Sequence, residues 1–275
     1  MHDMTPDRIR TAWDRISAGY DRTHPPTHPL PDKGLHLAGL RAGMRFLDVA
    51  SGPGALSIPA ARLGAWVLAT DISPGMLERL EERARDERLS VETRVMDGHA
   101  LDLDDDSFDV VGSQFGVMLF PDMPKGVAEM ARVVKPGGRV LLIAFGDVRK
   151  VEFFTFLARG IQAVRPDFKP PLDPPPLPFQ LQDPERLRRE FTRVGLKDVG
   201  VEETTETLEY RNGAELWDWL VSSNPIVEAI FSEIALTPSE RAEIERAIGD
   251  LVRERAGAGD RAILTVPINI GVGTK

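Results

Sequence analysis

Two aspartates and two glycines in this chain are spaced so that they could bind a charged, nucleotide-like ligand. Asp48 lies within the stretch Phe-Leu-Asp-Val-Ala-Ser-Gly-Pro-Gly, whose two glycines are Gly52 and Gly54. Glycines in a turn let backbone N–H groups approach a ligand closely. Asp71 follows at the end of a second apolar run. A carboxylate at that place is positioned to accept hydrogen bonds from both hydroxyls of a ribose.

A strand, a turn and a helix must position these residues. The apolar run before the glycines predicts a buried strand, and the helical spacing of Leu56, Ile58 and Ala61 after them predicts a helix. A strand, a tight turn and a helix form the opening of a doubly wound α/β domain. The second apolar run predicts a second strand, whose tip carries Asp71.

The carboxylate of Asp48 bears on which ligand the loop would hold. A dinucleotide fingerprint reads Gly-x-Gly-x-x-Gly and seats a pyrophosphate on the helix N-terminus. In this chain Ser57 occupies the third glycine position, and Asp48 just before the loop would repel a pyrophosphate. S-adenosylmethionine carries an ammonium and a sulfonium but no phosphate, so it suits a carboxylate there. Taken alone, the loop also fits a purely structural strand-to-helix turn made of small residues.

The order Asp-x-Ala-x-Gly-x-Gly resembles motif I of the class I S-adenosylmethionine-dependent methyltransferases, in which Ala50 is a tolerated form. The resemblance continues with Phe-Asp-Val-Val from Phe108 and with Arg-Val-Val-Lys-Pro-Gly-Gly-Arg-Val-Leu from Arg132. The second of these predicts a turn into a fifth strand that starts at Arg139. The agreement is of the Methyltransf_11 type, similar to ubiquinone/menaquinone-biosynthesis and small-molecule enzymes.

The resemblance also implies a set of residues around S-adenosylmethionine. Asp97 would accept a hydrogen bond from the adenine amino group, Ile72 would pack on the ring, and a first helix ending at Tyr20 would fold over the cofactor. No metal site and no catalytic base follow from it. The expected cofactor-binding residues are Tyr20, Asp48, Ala50, Gly52, Gly54, Asp71, Ile72, Met76, Asp97, Gly98, Gln114 and Phe115.

The fold implied by the resemblance is α/β, a doubly wound Rossmann-like sheet of seven strands in the order 3-2-1-4-5-7-6, with the last strand antiparallel and an added helical cap. A cap followed by proline at Ser73-Pro74 and at Asp183-Pro184 predicts two helix starts, and Pro121-Asp122 predicts a third. The expected divisions are an N-terminal helical segment over the cofactor (1–45), the Rossmann-like core (46–150), an aromatic helix with a proline-rich cap segment (151–182), and the completion of the sheet (183–275) with a helical insertion at about 213–257.

The run after the fourth strand indicates the class of methyl acceptor. Methyltransferases that act on base nitrogens or glutamine amides usually carry Asn or Asp-Pro-Pro-Tyr there. This chain has Ser113-Gln114-Phe115-Gly116, followed by apolar residues 117–120. An apolar mouth with one amide favours a small, largely apolar acceptor. The same run also fits plain core packing.

Three histidines invite other interpretations. His24 and His28 have a metal-ligand spacing that works on a helix, but the prolines between and beside them forbid a helix. We expect 24–31 to form either a loop at the mouth of the active site or a plain linker, with a helix capped by Asp32 after it. His99 follows Asp97, so it would lie beside the adenine rather than the methyl group.

Composition narrows the classes of protein. The 275 residues are 42% apolar and 28% charged, as in an ordinary globular protein. The absence of cysteine excludes disulfides, thiolate metal sites and a cysteine nucleophile. The net charge of −9 argues against a broad nucleic-acid surface. No apolar run reaches the roughly 18 residues that a membrane span needs, and no signal-peptide core is visible, so we expect a cytoplasmic protein.

These features together predict an S-adenosylmethionine-dependent methyltransferase that acts on a small molecule. A non-catalytic module that binds S-adenosylmethionine is one alternative, and an NAD-dependent oxidoreductase is another. Affinity for the two nucleotides and methyl transfer distinguish the three.

Overall fold

The structure is a computed structural model that describes residues 5–20, 29–170, 172, 174–223, 227, 230, 231 and 233–275; of residues 18–20 and 223 it describes only the backbone. The loop predicted around His24 and His28 lies outside the described residues, except for its last part. Pro29 and Pro31 belong to the first turn of a helix, so the prediction of a loop through 31 was wrong. The prediction that Asp32 caps this helix was wrong too, because Asp32 lies inside its first turn. Proline is tolerated there because the first N–H groups of a helix have no partner within it.

A seven-stranded sheet forms the centre of the described chain, in the order β3-β2-β1-β4-β5-β7-β6. Strands β1 to β5 pair in parallel, and β7 is antiparallel to both β5 and β6. The predicted fold class, strand order and antiparallel last strand are therefore confirmed. The strands are β1 (Arg45–Val49), β2 (Trp66–Asp71), β3 (Glu92–Val95), β4 (Phe108–Gln114), β5 (Val134–Phe145), β6 (Lys197–Tyr210) and β7 (Ala262–Thr274).

Helices cover both faces of this sheet, which is why its inner strands are apolar runs rather than alternating ones. The core on one face joins α2, α3, α6, α8 and α9, and the core on the other joins α5 and α7. The helices are α1 (Pro6–Tyr20), α2 (Pro29–Leu37), α3 (Ser57–Arg62), α4 (Pro74–Asp86), α5 (Met123–Val133), α6 (Glu152–Val164), α7 (Pro184–Arg193), α8 (Gly213–Ser223) and α9 (Pro238–Ala256).

Strands β6 and β7 extend beyond the rest of the sheet. The last residue of β5, Phe145, pairs with Ile268, whereas β6 and β7 stay paired as far as Tyr210 and Ala262. The outer parts of β6 and β7 therefore form a two-stranded ribbon past the carboxyl end of β5. Helices α6, α8 and α9 pack with this ribbon and form a helical cap on one side of the strand ends.

The start of β5 differs from the prediction. The strand begins at Val134 and not at Arg139, because Val134 already pairs with Phe108 before the register shifts. The Lys-Pro-Gly-Gly run is thus an irregularity within the strand, with Gly137 at φ +78°. A bulge of this kind lets a strand continue through a turn-like sequence.

Candidate cofactor and acceptor site

The glycine loop follows β1, and both of its glycines have a left-handed backbone. Gly52 has φ +51°, and a Cβ added to it would meet no heavy atom within 4 Å. Gly54 has φ +90°, and a Cβ added to it would lie 2.2 Å from Cδ1 of Leu80 on α4. Gly54 is therefore required for packing, while Gly52 leaves a stretch of backbone uncovered.

Asp48 lies beneath this loop and is 1% exposed. Its Oδ2 accepts a hydrogen bond of 2.6 Å from Oγ of Ser57, the first residue of α3. Removal from water raises the pKa of Asp48 to about 7, although the hydrogen bonds from Ser57 oppose the shift. The negative charge of Asp71 adds to the rise. The side chain supports the loop from behind and does not reach the cavity surface.

Asp71 stands at the tip of β2 and holds the loop in place. Its Oδ2 accepts a hydrogen bond from Gly52 N at 2.9 Å, and its Oδ1 accepts one from Ser73 N at 2.9 Å. Burial raises the pKa of Asp71 to about 6, with these backbone bonds opposing the rise. Each carboxylate oxygen has a second lone pair, so Asp71 can still accept two ribose hydroxyls.

The carboxylates of Asp48 and Asp71 together determine whether the site favours a cationic or an anionic ligand. Neither forms an ion pair with a lysine or arginine of the described chain; their donors are a hydroxyl and backbone N–H groups. A phosphate beside them would add a further negative charge at low dielectric, whereas a sulfonium or ammonium would compensate the existing ones. The residues present therefore fit S-adenosylmethionine and disfavour a pyrophosphate.

The loop after β3 forms a second end of the site. Oδ1 of Asp97 accepts hydrogen bonds from His99 N at 2.9 Å and from His99 Nδ1 at 2.7 Å. Burial would raise the pKa of Asp97, but these bonds outweigh it and lower the pKa below its usual value. The His99 ring packs on Phe120 with centroids 4.5 Å apart. Asp97 is thus an ionised acceptor whose Oδ2 accepts no hydrogen bond from the described residues, and the bonds from His99 hold its carboxylate in place.

The exits of β1 and β4 lie against each other. Ala50 and Phe115 are both left-handed, with φ +53° and +55°, and neither is glycine. A Cβ added to Gly116 would lie 2.6 Å from Cβ of Ala50, which shows how closely the two turns approach. Such conformations cost roughly 1–3 kcal/mol each and cluster at ligand-binding sites.

Aromatic rings wall the space beyond these exits. Phe115 stacks on Phe145 with centroids 4.7 Å apart, and Phe145 meets Phe153 edge-on at 5.8 Å. Phe153 in turn meets Trp219 of α8 at 4.8 Å. The ribbon completes the wall with Leu208, Val266 and Ile268. The glycine-loop cleft and this aromatic chamber form one cavity of about 1020 Å³.

Helix α1 borders the cavity next to the start of α4. Ile9 and Trp13 line the cavity, and Asp14 fastens the helix to the start of α4. Oδ1 of Asp14 accepts hydrogen bonds from Ser73 Oγ at 2.5 Å and from Gly75 N at 3.3 Å. The side chain of Tyr20 lies outside the described residues, so its predicted contact stays a prediction.

The expected cofactor residues thus divide by position. Asp48 and Gly54 do not line the cavity. The side chain of Tyr20 lies outside the described residues. Sequence reasoning did not anticipate Ser57, Asp14 or Phe120 as supports of the site; only the spacing of Ser57 from the glycines hinted at its position. The members that line the cavity are Ala50, Gly52, Asp71, Ile72, Met76, Asp97, Gly98, Gln114 and Phe115.

No helix among the described residues is long and apolar enough to cross a membrane.

Comparison with known proteins agrees with this geometry. Residues 47–142 match the family model Methyltransf_11, a methyltransferase domain. An uncharacterized protein of Mycobacterium tuberculosis is 38% identical over 137 residues, which cover 50% of this chain and 49% of that protein. A demethylmenaquinone methyltransferase of Clavibacter sepedonicus is 40% identical over 146 residues, covering 51% of this chain and 59% of the relative.

The fold extends further than the sequence similarity does. The crystal structure of the YcgJ protein from Bacillus subtilis covers 90% of this chain and 99% of its own, with a TM-score of 0.59 and 18% identity. The chain spans about half the length of the first curated relatives that it matches. The domain match identifies residues 47–142 as a methyltransferase domain of the Methyltransf_11 family, and the structural likeness shows that the described chain shares the fold of the YcgJ protein.

Proposed function

We propose that this chain transfers the methyl group of S-adenosylmethionine to a small, largely apolar metabolite. The observation that carries the proposal is the continuity of two unlike regions within one cavity: a cleft over two buried carboxylates and a chamber walled by aromatic rings. Its volume of about 1020 Å³ lies at the upper end of the roughly 300–1,000 Å³ usual for one small-molecule site. A cofactor and an acceptor together would use that space.

The cofactor end is proposed to work through three contacts. Asp71 would accept the ribose hydroxyls while it keeps its bonds to Gly52 and Ser73. Ile72 would pack on the adenine ring, and Oδ2 of Asp97, which has no donor among the described residues, would accept a hydrogen bond from the adenine amino group. The charge of Asp48, beneath the loop, would stabilise the cationic ligand without touching it.

The chemistry then depends on position and on the exclusion of water. When bound, the cofactor supplies a methyl group on a positively charged sulfur that leaves as a neutral thioether. The chain's aromatic wall would orient the acceptor so that its lone pair faces that methyl group in line. Burial of the acceptor among Phe115, Phe145 and Phe153 would keep water from competing. The name of the Clavibacter relative gives a metabolite as its acceptor, which supports this choice over a macromolecule.

Two measurements test the proposal. Calorimetry with S-adenosylmethionine, S-adenosylhomocysteine and NAD should show binding of the first two and little of the third. Radiolabelled methyl transfer is then measured with aromatic and isoprenoid compounds, bulk tRNA and a protein extract as separate acceptors. Tight cofactor binding without transfer to any acceptor would indicate the non-catalytic module, and preference for NAD would indicate the oxidoreductase. Robust transfer to tRNA or protein, with none to the small compounds, would overturn the acceptor class.

A further inference from the structure

Gln114 at the end of β4 carries a side-chain amide that has no hydrogen-bond partner among the described residues. Its side chain forms no hydrogen bond with any residue in the described part of the chain, and its Oε1 is buried. The carboxylates of Asp48 and Asp71, in contrast, each accept hydrogen bonds from groups of the described chain. Buried amide groups in native proteins are nearly always paired, so an exception at a cavity calls for a partner that arrives with a ligand.

The side of the sheet on which this amide lies follows from strand alternation. Val110, Gly112 and Gln114 share one face of β4. A Cβ on Gly112 would lie 2.9 Å from the Phe46 ring, and Val110 belongs to the same core as Phe153. The amide therefore projects from the face that the helical cap covers, next to the aromatic chamber.

The chemistry of that chamber limits what the amide would meet. The rings of Phe115, Phe145, Phe153 and Trp219 form a continuous wall, each in contact with the next. A wall of this kind favours a flat, ring-bearing molecule. A hydroxyl both donates and accepts, so it satisfies the amide whichever way its oxygen and nitrogen are oriented. An ether or a methyl group lacks one or both capacities.

We infer that Gln114 is the positioning residue for the methyl acceptor, and that the acceptor is a hydroxylated ring compound whose hydroxyl bonds to this amide. The inference rests on the proposed function and narrows its substrate class. Under this inference Gln114 contacts the acceptor and not the cofactor, to which the family resemblance assigned it.

Two probes of the same shape test the inference directly. The dissociation constants of 2-naphthol and 2-methylnaphthalene are measured on the S-adenosylhomocysteine complex of the wild type and of Gln114→Met. The ratio of the two constants should change about tenfold toward 2-methylnaphthalene in the variant, the loss of one buried hydrogen bond. S-adenosylhomocysteine affinity should stay within about twofold. Gln162→Met, the same substitution on α6 outside the cavity, should keep the wild-type ratio.

The outcomes separate the inference from the proposed function. An unchanged ratio in a folded Gln114→Met overturns the inference. A loss of S-adenosylhomocysteine affinity with the ratio unchanged overturns it too, and returns Gln114 to the cofactor. Failure of the wild type to bind S-adenosylhomocysteine refutes the proposed function itself. The thermal midpoint reports folding, and Gln114→Leu carries the same test if the methionine variant unfolds.

Discussion

Replacement of Asp48 by asparagine removes a buried ionisable carboxyl group while it keeps the shape of the side chain. In the wild type, burial raises the pKa of this carboxyl from 3.8 to about 7. The folded state therefore holds a proton that the unfolded state releases. The contribution of Asp48 to stability is complete below pH 3.8 and is lost as the pH rises through about 7. Asparagine has no such dependence.

The size of the effect follows from this shift. At roughly 1.4 kcal/mol per pKa unit, full ionisation of Asp48 in the folded state costs about 4 kcal/mol. Between pH 5 and pH 8 the cost grows by roughly 2–3 kcal/mol. The free energy of unfolding of Asp48→Asn should therefore rise relative to that of the wild type by roughly 2–3 kcal/mol between pH 5 and pH 8.

Urea unfolding of the ligand-free protein at pH 5, 6.5 and 8 measures this difference. Ser57→Ala is a matched control, because it removes the hydroxyl that donates to Asp48 and leaves the charge. Its destabilisation should grow with pH, opposite in sign to the effect of Asp48→Asn. A difference between Asp48→Asn and the wild type that stays constant from pH 5 to pH 8 would refute the reasoning. Asp48 would then be ionised throughout.

Three further predictions concern the same cleft. Asp71→Ala should weaken S-adenosylmethionine binding by roughly 1.5–3 kcal/mol through lost bonds to a charged acceptor, and calorimetry that shows unchanged affinity would remove Asp71 from the site. Gly54→Ala should destabilise the fold by more than Gly52→Ala, because both strain a positive φ but only the first also clashes with α4; equal midpoints in thermal unfolding would contradict this. Cofactor binding should lower hydrogen exchange in α1 more than in β5, which is already protected, and the reverse order would show that α1 does not close over the cleft.

Local signals in the chain were sufficient for three helix starts. Helices were predicted to start at Ser73, Asp122 and Asp183, and each of these side chains accepts a hydrogen bond from a backbone N–H two or three residues later. A cap acts within one turn of chain, so residue type and spacing decide it. The strand order was implied by the family resemblance that the ordered motifs carry, and the structure confirms it.

Contacts between distant parts of the chain escaped prediction. The fastening of α1 at Asp14, the ring of Phe120 against His99 and the early start of β5 at Val134 each join residues far apart in sequence. Local patterns carry no information about such pairs. The loop predicted through Pro31 failed for a different reason, since proline in the first turn of a helix resembles proline in a loop.

The sequence by itself determined the cleft: an acid before a glycine turn, an acid at the next strand tip and the order of the motifs. Those features are local, and the parallel pairing of the strands brings them together at the carboxyl ends of β1 and β2. Only the tertiary structure decided that Asp48 is buried with a raised pKa, and that Gln114 lines the same cavity as a wall of rings from α6, α8 and β5. Burial and packing depend on what the rest of the chain places around a side chain, and no spacing within one stretch records that.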